Sequence, residues 1–121
     1  NIYYNYILKE NLNSLDSVKN LLKRYKNNIK LIAGDTNTVL YETTLKNVDF
    51  AFIDGGHSYE TVMNDLTILY QNLKGKNKIL LCDDYGKASY IPEVEKAIND
   101  FSKKQNLNIN IIEDRFAEII T

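Results

Sequence analysis

The sequence predicts an α/β fold with a mostly parallel sheet that ends in an antiparallel hairpin. Three observations carry that expectation. Short β-rich apolar runs at residues 29–33, 48–53 and 78–82 each stop at a turn containing an acid. Stretches with apolar residues at helical spacing lie between or after them. Two last runs, Ile109–Ile112 and Phe116–Ile120, are separated only by Glu113-Asp114-Arg115, short enough for a hairpin. Strands that alternate with helices pair in parallel, and the hairpin contributes the reversed strand.

Each element follows from its own residues. From Ser14 on, Leu15, Val18, Leu21, Leu22 and Tyr25 recur at steps of three and four, so a helix starts there, capped by Ser14 or Asn13. Residues 2–8 are a candidate extension of it. The run at 29–33 ends at Gly34-Asp35, and the run at 48–53 ends at Asp54-Gly55-Gly56. Ser58 then caps a helix whose Tyr59, Val62, Met63, Leu66, Leu69, Tyr70 and Leu73 keep one apolar face as far as Gly75. The run at 78–82 stops at Asp83-Asp84, and a loop with Gly86 leads to Pro92, a residue suited to a first helical position. Glu93 and Glu95 favour that helix's positive end, and Val94, Ala97, Ile98 and Phe101 form its buried stripe.

No repeat or low-complexity linker divides the 121 residues, which read as one domain: a helical lead-in over 1–28 and a sheet over 29–121. A net charge of -1 offers no basic field for nucleic acid. Cys82 is alone and forms no internal disulfide, which fits a reducing, cytoplasmic setting. No apolar run approaches the roughly 18 to 20 residues of a membrane span. The chain begins at Asn1 and enters helical sequence almost at once, so further residues are expected upstream. Nothing in the sequence indicates an oligomeric state.

In open α/β sheets ligands collect beyond the carboxyl ends of the parallel strands. Asp35, Asp54 and the Asp83-Asp84 pair all stand there, each directly after an apolar run or its glycine. Carboxylates gathered in one crevice repel unless protons, cations or donors compensate, and oxygen ligands suit Mg²⁺, so Asp54, Asp83 and Asp84 form a candidate metal set. The competing reading is that acids follow strands because they cap helices and favour turns. His57, the one histidine, stands at the mouth after Asp54-Gly55-Gly56, either as a general base or as a helix-start cap. The two glycines fit a tight strand-to-helix turn. Tyr85 and Tyr90 are candidates for a substrate pocket or for ordinary packing.

Residues 49–60 read Asp-Phe-Ala-Phe-Ile-Asp-Gly-Gly-His-Ser-Tyr-Glu, followed by Asp65-Leu66 and by Ile79-Leu80-Leu81-Cys82-Asp83-Asp84-Tyr85. From about residue 29 to the end, this resembles the class I S-adenosylmethionine-dependent methyltransferases of the small-molecule and sugar O-methyltransferase branch, the macrocin O-methyltransferase-like enzymes. The resemblance implies a Rossmann-like methyltransferase fold that lacks its first two strands and first helix. It implies that Asp35 contacts the adenine of S-adenosylmethionine with Thr36 beside it, and that Asp54, Gly55 and His57 lie near the cofactor's methionine part. It also implies Mg²⁺ held by Asp54, Asp83 and Asp84, acidifying the hydroxyl of a small-molecule or sugar acceptor, with His57 as a candidate base.

The sequence departs from that family in three places. Lys74-Gly75-Lys76-Asn77 replaces a Pro-Gly-Gly-type turn, Gly56 stands where some relatives carry an acid as base, and no Gly-x-Gly loop precedes residue 29. In the family's sheet the absent strands lie between the third and fourth, so the run at 29–33 would lack a neighbour. This chain by itself is therefore expected to be unstable or rearranged, to bind S-adenosylmethionine poorly and to be inactive. Two alternatives stay open: a non-catalytic remnant serving as an interaction domain, and a phospho-receiver-like module. The receiver order is reversed here, since its acidic pair precedes the phosphorylated Asp.

Overall fold

The computed structural model describes residues 14–73, 77–88 and 91–121. The expected extension over residues 2–8, together with Gly75 and Tyr90, lies outside them. The chain forms two compact units, Asn1–Gly34 and Asp35–Thr121.

In the first unit, helix α1 spans Leu15–Leu21 and Ser14 caps it, its hydroxyl accepting from the Ser17 N–H at 3.2 Å. Beyond Leu22 the helix tightens to a 3-10 turn over Lys23–Tyr25. No residue of α1 is buried, so little packing holds the apolar stripe in one continuous α-helix. Residues 29–33, expected as a strand, belong to no ladder among the described residues. β propensity is only a preference, and a strand exists only where a neighbour takes its backbone donors and acceptors.

The second unit carries the sheet. Helix α2 (Thr36–Glu42) comes first, then β1 (Phe50–Ile53), α3 (Tyr59–Asn72), β2 (Ile79–Cys82), α4 (Pro92–Gln105), β3 (Ile109–Ile112) and β4 (Phe116–Ile120). The strand order is β1-β2-β4-β3. β1 and β2 run parallel, with Phe50 opposite Ile79 and Ile53 opposite Cys82, and α3 supplies the crossover that a parallel pair requires. β4 is antiparallel to both β2 and β3. The α/β class holds, but the expected mostly parallel sheet gives way to one parallel and two antiparallel pairings. With 29–33 in no ladder, β1 and β2 are the parallel pair among the described strands.

Pairing register aligns Ala51, Leu80 and Ile119 in one row and Ile53, Cys82 and Ala117 in the next, all buried on one face. Against this face pack Val62 and Leu66 of α3 and Val94, Ala97, Ile98 and Phe101 of α4. Each large side chain fully buried there contributes about 1.5–3 kcal/mol. Tyr70 meets Phe101 edge-on at 5.6 Å between ring centroids. The sheet's other face leaves Phe50 and Phe52 about half exposed, at 53% and 48%.

The parallel pair matters most for function. It sets the carboxyl ends of β1 and β2 side by side, and the Asp83 N–H donates to the Ile53 carbonyl at 2.9 Å just beyond the ladder.

Candidate functional site

The loop after β1 is Asp54-Gly55-Gly56-His57, closed by Ser58, whose hydroxyl accepts from the Thr61 N–H at 3.2 Å to start α3. Only the second glycine is forced. A Cβ on Gly56 would lie 2.8 Å from Thr61 Cγ2, whereas one on Gly55 would meet nothing nearer than Asp65 Oδ2 at 3.8 Å. The glycine pair therefore reflects the close approach of α3.

The loop after β2 carries two aspartates with different surroundings. Asp84 has φ +60, in the left-handed region that Asp tolerates better than most residues. Its Oδ2 lies 2.9 Å from His57 Nε2. One ligand atom each from Asp54, His57 and Asp84 falls within 4.8 Å of the others, with Asp54 and His57 exposed and Asp84 half-buried. Asp83 is buried. Its Oδ1 accepts from Arg115 Nε at 2.6 Å and from the Asp84 N–H at 2.7 Å, and its Oδ2 accepts from Arg115 Nη2 at 2.6 Å. Those bonds, the guanidinium's first, hold the Asp83 carboxyl below the usual carboxylate range although burial pushes the other way.

Arg115 comes from the turn between β3 and β4, and its guanidinium lies over the Phe116 ring at 5.1 Å. The same turn holds the β2 loop through the backbone: the Tyr85 N–H donates to the Arg115 carbonyl at 2.8 Å and the Ala88 N–H to the Asp114 carbonyl at 3.2 Å. Gly86 adopts φ +86, and a Cβ there would lie 2.9 Å from the Asp114 carbonyl oxygen. Sequence reasoning treated Arg115 only as part of a turn. Its signal was the strand register, since pairing Cys82 with Ala117 brings residue 115 beside the residues just after β2.

A groove of about 440 Å³ runs beside β1, lined by Thr36, Asp54, Gly55, Asp65 and the apolar residues of β1 and its neighbours. Asp65 is buried, hydrogen-bonded to Thr36, and its Oδ1 has no partner among the described residues. Burial is the main cause that raises its carboxyl above the usual range; the Thr36 bond opposes and nearby Asp35 adds to the rise. Asp35 itself is an exposed cap. Its Oδ1 accepts from the Asn37 N–H at 2.9 Å and starts α2, a helix the sequence reading missed. The signal there is Asp35 itself, a favoured helix-cap residue ahead of a stretch from Thr36 to Lys46 with no Gly or Pro.

The structure thus brings Asp54, His57 and Asp84 together, places Thr36, Asp54 and Gly55 along one groove, and leaves Asp35 capping α2. Asp54, Asp83 and Asp84 line one small crevice together with His57, but the ligand atoms within 4.8 Å of one another come from Asp54, His57 and Asp84. His57 joins that group, while both Asp83 oxygens are held by Arg115. Tyr85 is buried, and its hydroxyl donates to Asn99 Oδ1 at 2.8 Å, which is the packing role. Cys82 lies under the site, its thiol pushed up to about 12 by burial.

A methyltransferase-domain family matches residues 6–85. The chain belongs to that family. Its structure superposes on that of the O-methyltransferase NovP with a TM-score of 0.73 at 18% sequence identity, over 88% of this chain and 44% of NovP, and so shares the class I O-methyltransferase-like fold. A stretch of 60 residues is 33% identical to an uncharacterized protein of Acanthamoeba polyphaga mimivirus, covering 50% of this chain and 27% of that protein. The chain thus spans less than half the length of both proteins. No helix among the described residues is long and apolar enough to cross a membrane.

Proposed function

We propose that the protein transfers a methyl group from S-adenosylmethionine to a hydroxyl of a small-molecule or sugar acceptor, in the cytoplasm. The observation that carries this reading is His57, held by Asp84 at 2.9 Å and flanked by Asp54 at the adjoining ends of two parallel strands. Membership of a methyltransferase family supports it.

When bound, S-adenosylmethionine supplies an electrophilic methyl on a sulfonium centre. The groove beside β1 fits such a molecule, because the partnerless buried oxygen of Asp65 and the exposed carboxylate of Asp54 suit a cationic ligand rich in hydrogen-bond donors, and the apolar walls suit its flat ring. Thr36 and Gly55 line the same wall. Asp35, at the start of α2, stands ready as a further acceptor.

The chain's own residues handle the proton. Asp84 accepts a hydrogen bond from His57 Nε2, which leaves Nδ1 with a free lone pair. Nδ1 would take the acceptor's hydroxyl proton as its oxygen displaces the methyl from the sulfonium, whose sulfur keeps the bonding pair and leaves as a neutral thioether, and Asp84 would stabilise the imidazolium that results.

The test uses the full-length protein with methyl-labelled S-adenosylmethionine and a panel of hydroxylated acceptors. His57→Ala should lower kcat by about 10²–10⁴-fold, the usual contribution of a general base, while cofactor binding stays within a few fold. Equal turnover by His57→Ala and the parent would contradict the assignment.

A further inference from the structure

Asp83 and Asp84 are neighbours in sequence, yet they face different partners. Asp83 is buried and its two oxygens take three hydrogen bonds: two from one guanidinium, in the fork-to-fork arrangement that Arg and carboxylate favour, and one from the Asp84 N–H. With three of its roughly four lone-pair positions filled, a carboxylate in that state has little left to offer a cation, which would have to compete with the guanidinium in a buried setting. Arg115 has few alternatives of its own, because its backbone carbonyl is tied to the Tyr85 N–H and its guanidinium rests over Phe116.

We infer that Arg115 takes the place of a metal ion at Asp83: its guanidinium is the built-in cation of this site, and Asp83 is a positioning residue rather than a metal ligand. The pair fixes the turn in which Asp84 adopts its left-handed conformation and points its carboxylate at His57. Two anchors act together there, the side-chain fork and the two backbone bonds from the β3–β4 turn. A divalent cation that enters the crevice meets Asp54, His57 and Asp84. A ligand set with one imidazole suits Mn²⁺ or Zn²⁺ better than Mg²⁺.

This inference concerns the site of the proposed reaction but does not depend on it, since its readout is ion binding. Mn²⁺ binding to the full-length protein is measured by electron paramagnetic resonance for the parent, Arg115→Gln and the double variant Asp83→Asn/Arg115→Gln, each first checked for cooperative melting. The double variant replaces the ion pair with two neutral amides and leaves no buried charge stranded, so it is the variant best placed to fold. Arg115→Gln frees Asp83 and should tighten Mn²⁺ by roughly tenfold or more, the scale of gaining one ligand or its support. The double variant, in which an Asn–Gln amide pair and the two backbone bonds keep the turn in place, should match the parent within about twofold. Loss of the parent's Mn²⁺ binding in the double variant, or no gain in a folded Arg115→Gln, overturns the inference. Failure of methyl transfer with these Mn²⁺ results intact would instead strike the proposed function alone.

Discussion

The loops after β1 and β2 look alike in sequence, each an apolar strand running straight into aspartate, and yet the structure uses them in opposite ways. After β1 the chain leaves Asp54 and His57 exposed, closes on a helix cap, and is confined where Gly56 meets Thr61. After β2 it is clamped to the hairpin turn by Arg115 and two backbone bonds, with Asp83 buried beneath. One loop presents reactive groups. The other holds them in position, and Asp84 belongs to both because its carboxylate reaches across to His57. Identical residue types at equivalent strand ends therefore need not share a role; what decides it is whether another element reaches over to bind them.

The contrast can be broken most directly by catalysis. Asp84→Asn leaves His57 without its charged partner and should lower methyl transfer by about 10²–10⁴-fold in the full-length protein, much as His57→Ala does. A rate within a few fold of the parent would separate Asp84 from the chemistry.

Acid stability sharpens the difference next. The Asp83 carboxyl is held down in the folded state, so its contribution is complete above the unfolded-state value of roughly 4 and is lost as pH falls through the lower folded value. Asp65 has the opposite sign: its raised carboxyl penalises the folded state as pH climbs from roughly 4 through its folded value. Thermal melts of Asp83→Asn/Arg115→Gln should lose the acid limb below about pH 4, and those of Asp65→Asn should lose the decline above it. Unchanged profiles in both variants would remove the electrostatic part of the account.

The smallest expected effect compares two glycines. Gly86→Ala places a side chain at φ +86 against the Asp114 carbonyl and should cost about 1–3 kcal/mol, whereas Gly55→Ala, with ordinary contact distances, should stay near neutral in chemical denaturation. Equal costs would mean the β2 loop is no more constrained than the β1 loop.

Much of the fold was legible because it rests on local signals. The cap at Ser58, the apolar face of α3, Pro92 at the first position of α4 and the terminal hairpin all reappear in the structure at or near the expected residues. What failed depended on partners. The run at 29–33 has strand composition but joins no ladder among the described residues, and α2 stays hidden in the sequence because Asp35 suits a ligand at a strand end as well as a cap. The site divides the same way. Asp54 and His57 announce themselves within one short segment, while the role of Asp83 depends on Arg115, 32 residues away in sequence and brought near only by the antiparallel pairing of β2 with β4. No periodicity within either segment encodes that meeting.

The division of labour between the two aspartates can be measured at a single signal, because His57 is the chain's one histidine. Imidazole ¹⁵N shifts in the full-length protein should show the Nε2–H tautomer in the parent, a clear change in Asp84→Asn, and little change in the folded double variant Asp83→Asn/Arg115→Gln beyond a small electrostatic offset. A histidine spectrum that ignores Asp84→Asn would contradict the His57–Asp84 pairing on which the proposed reaction stands.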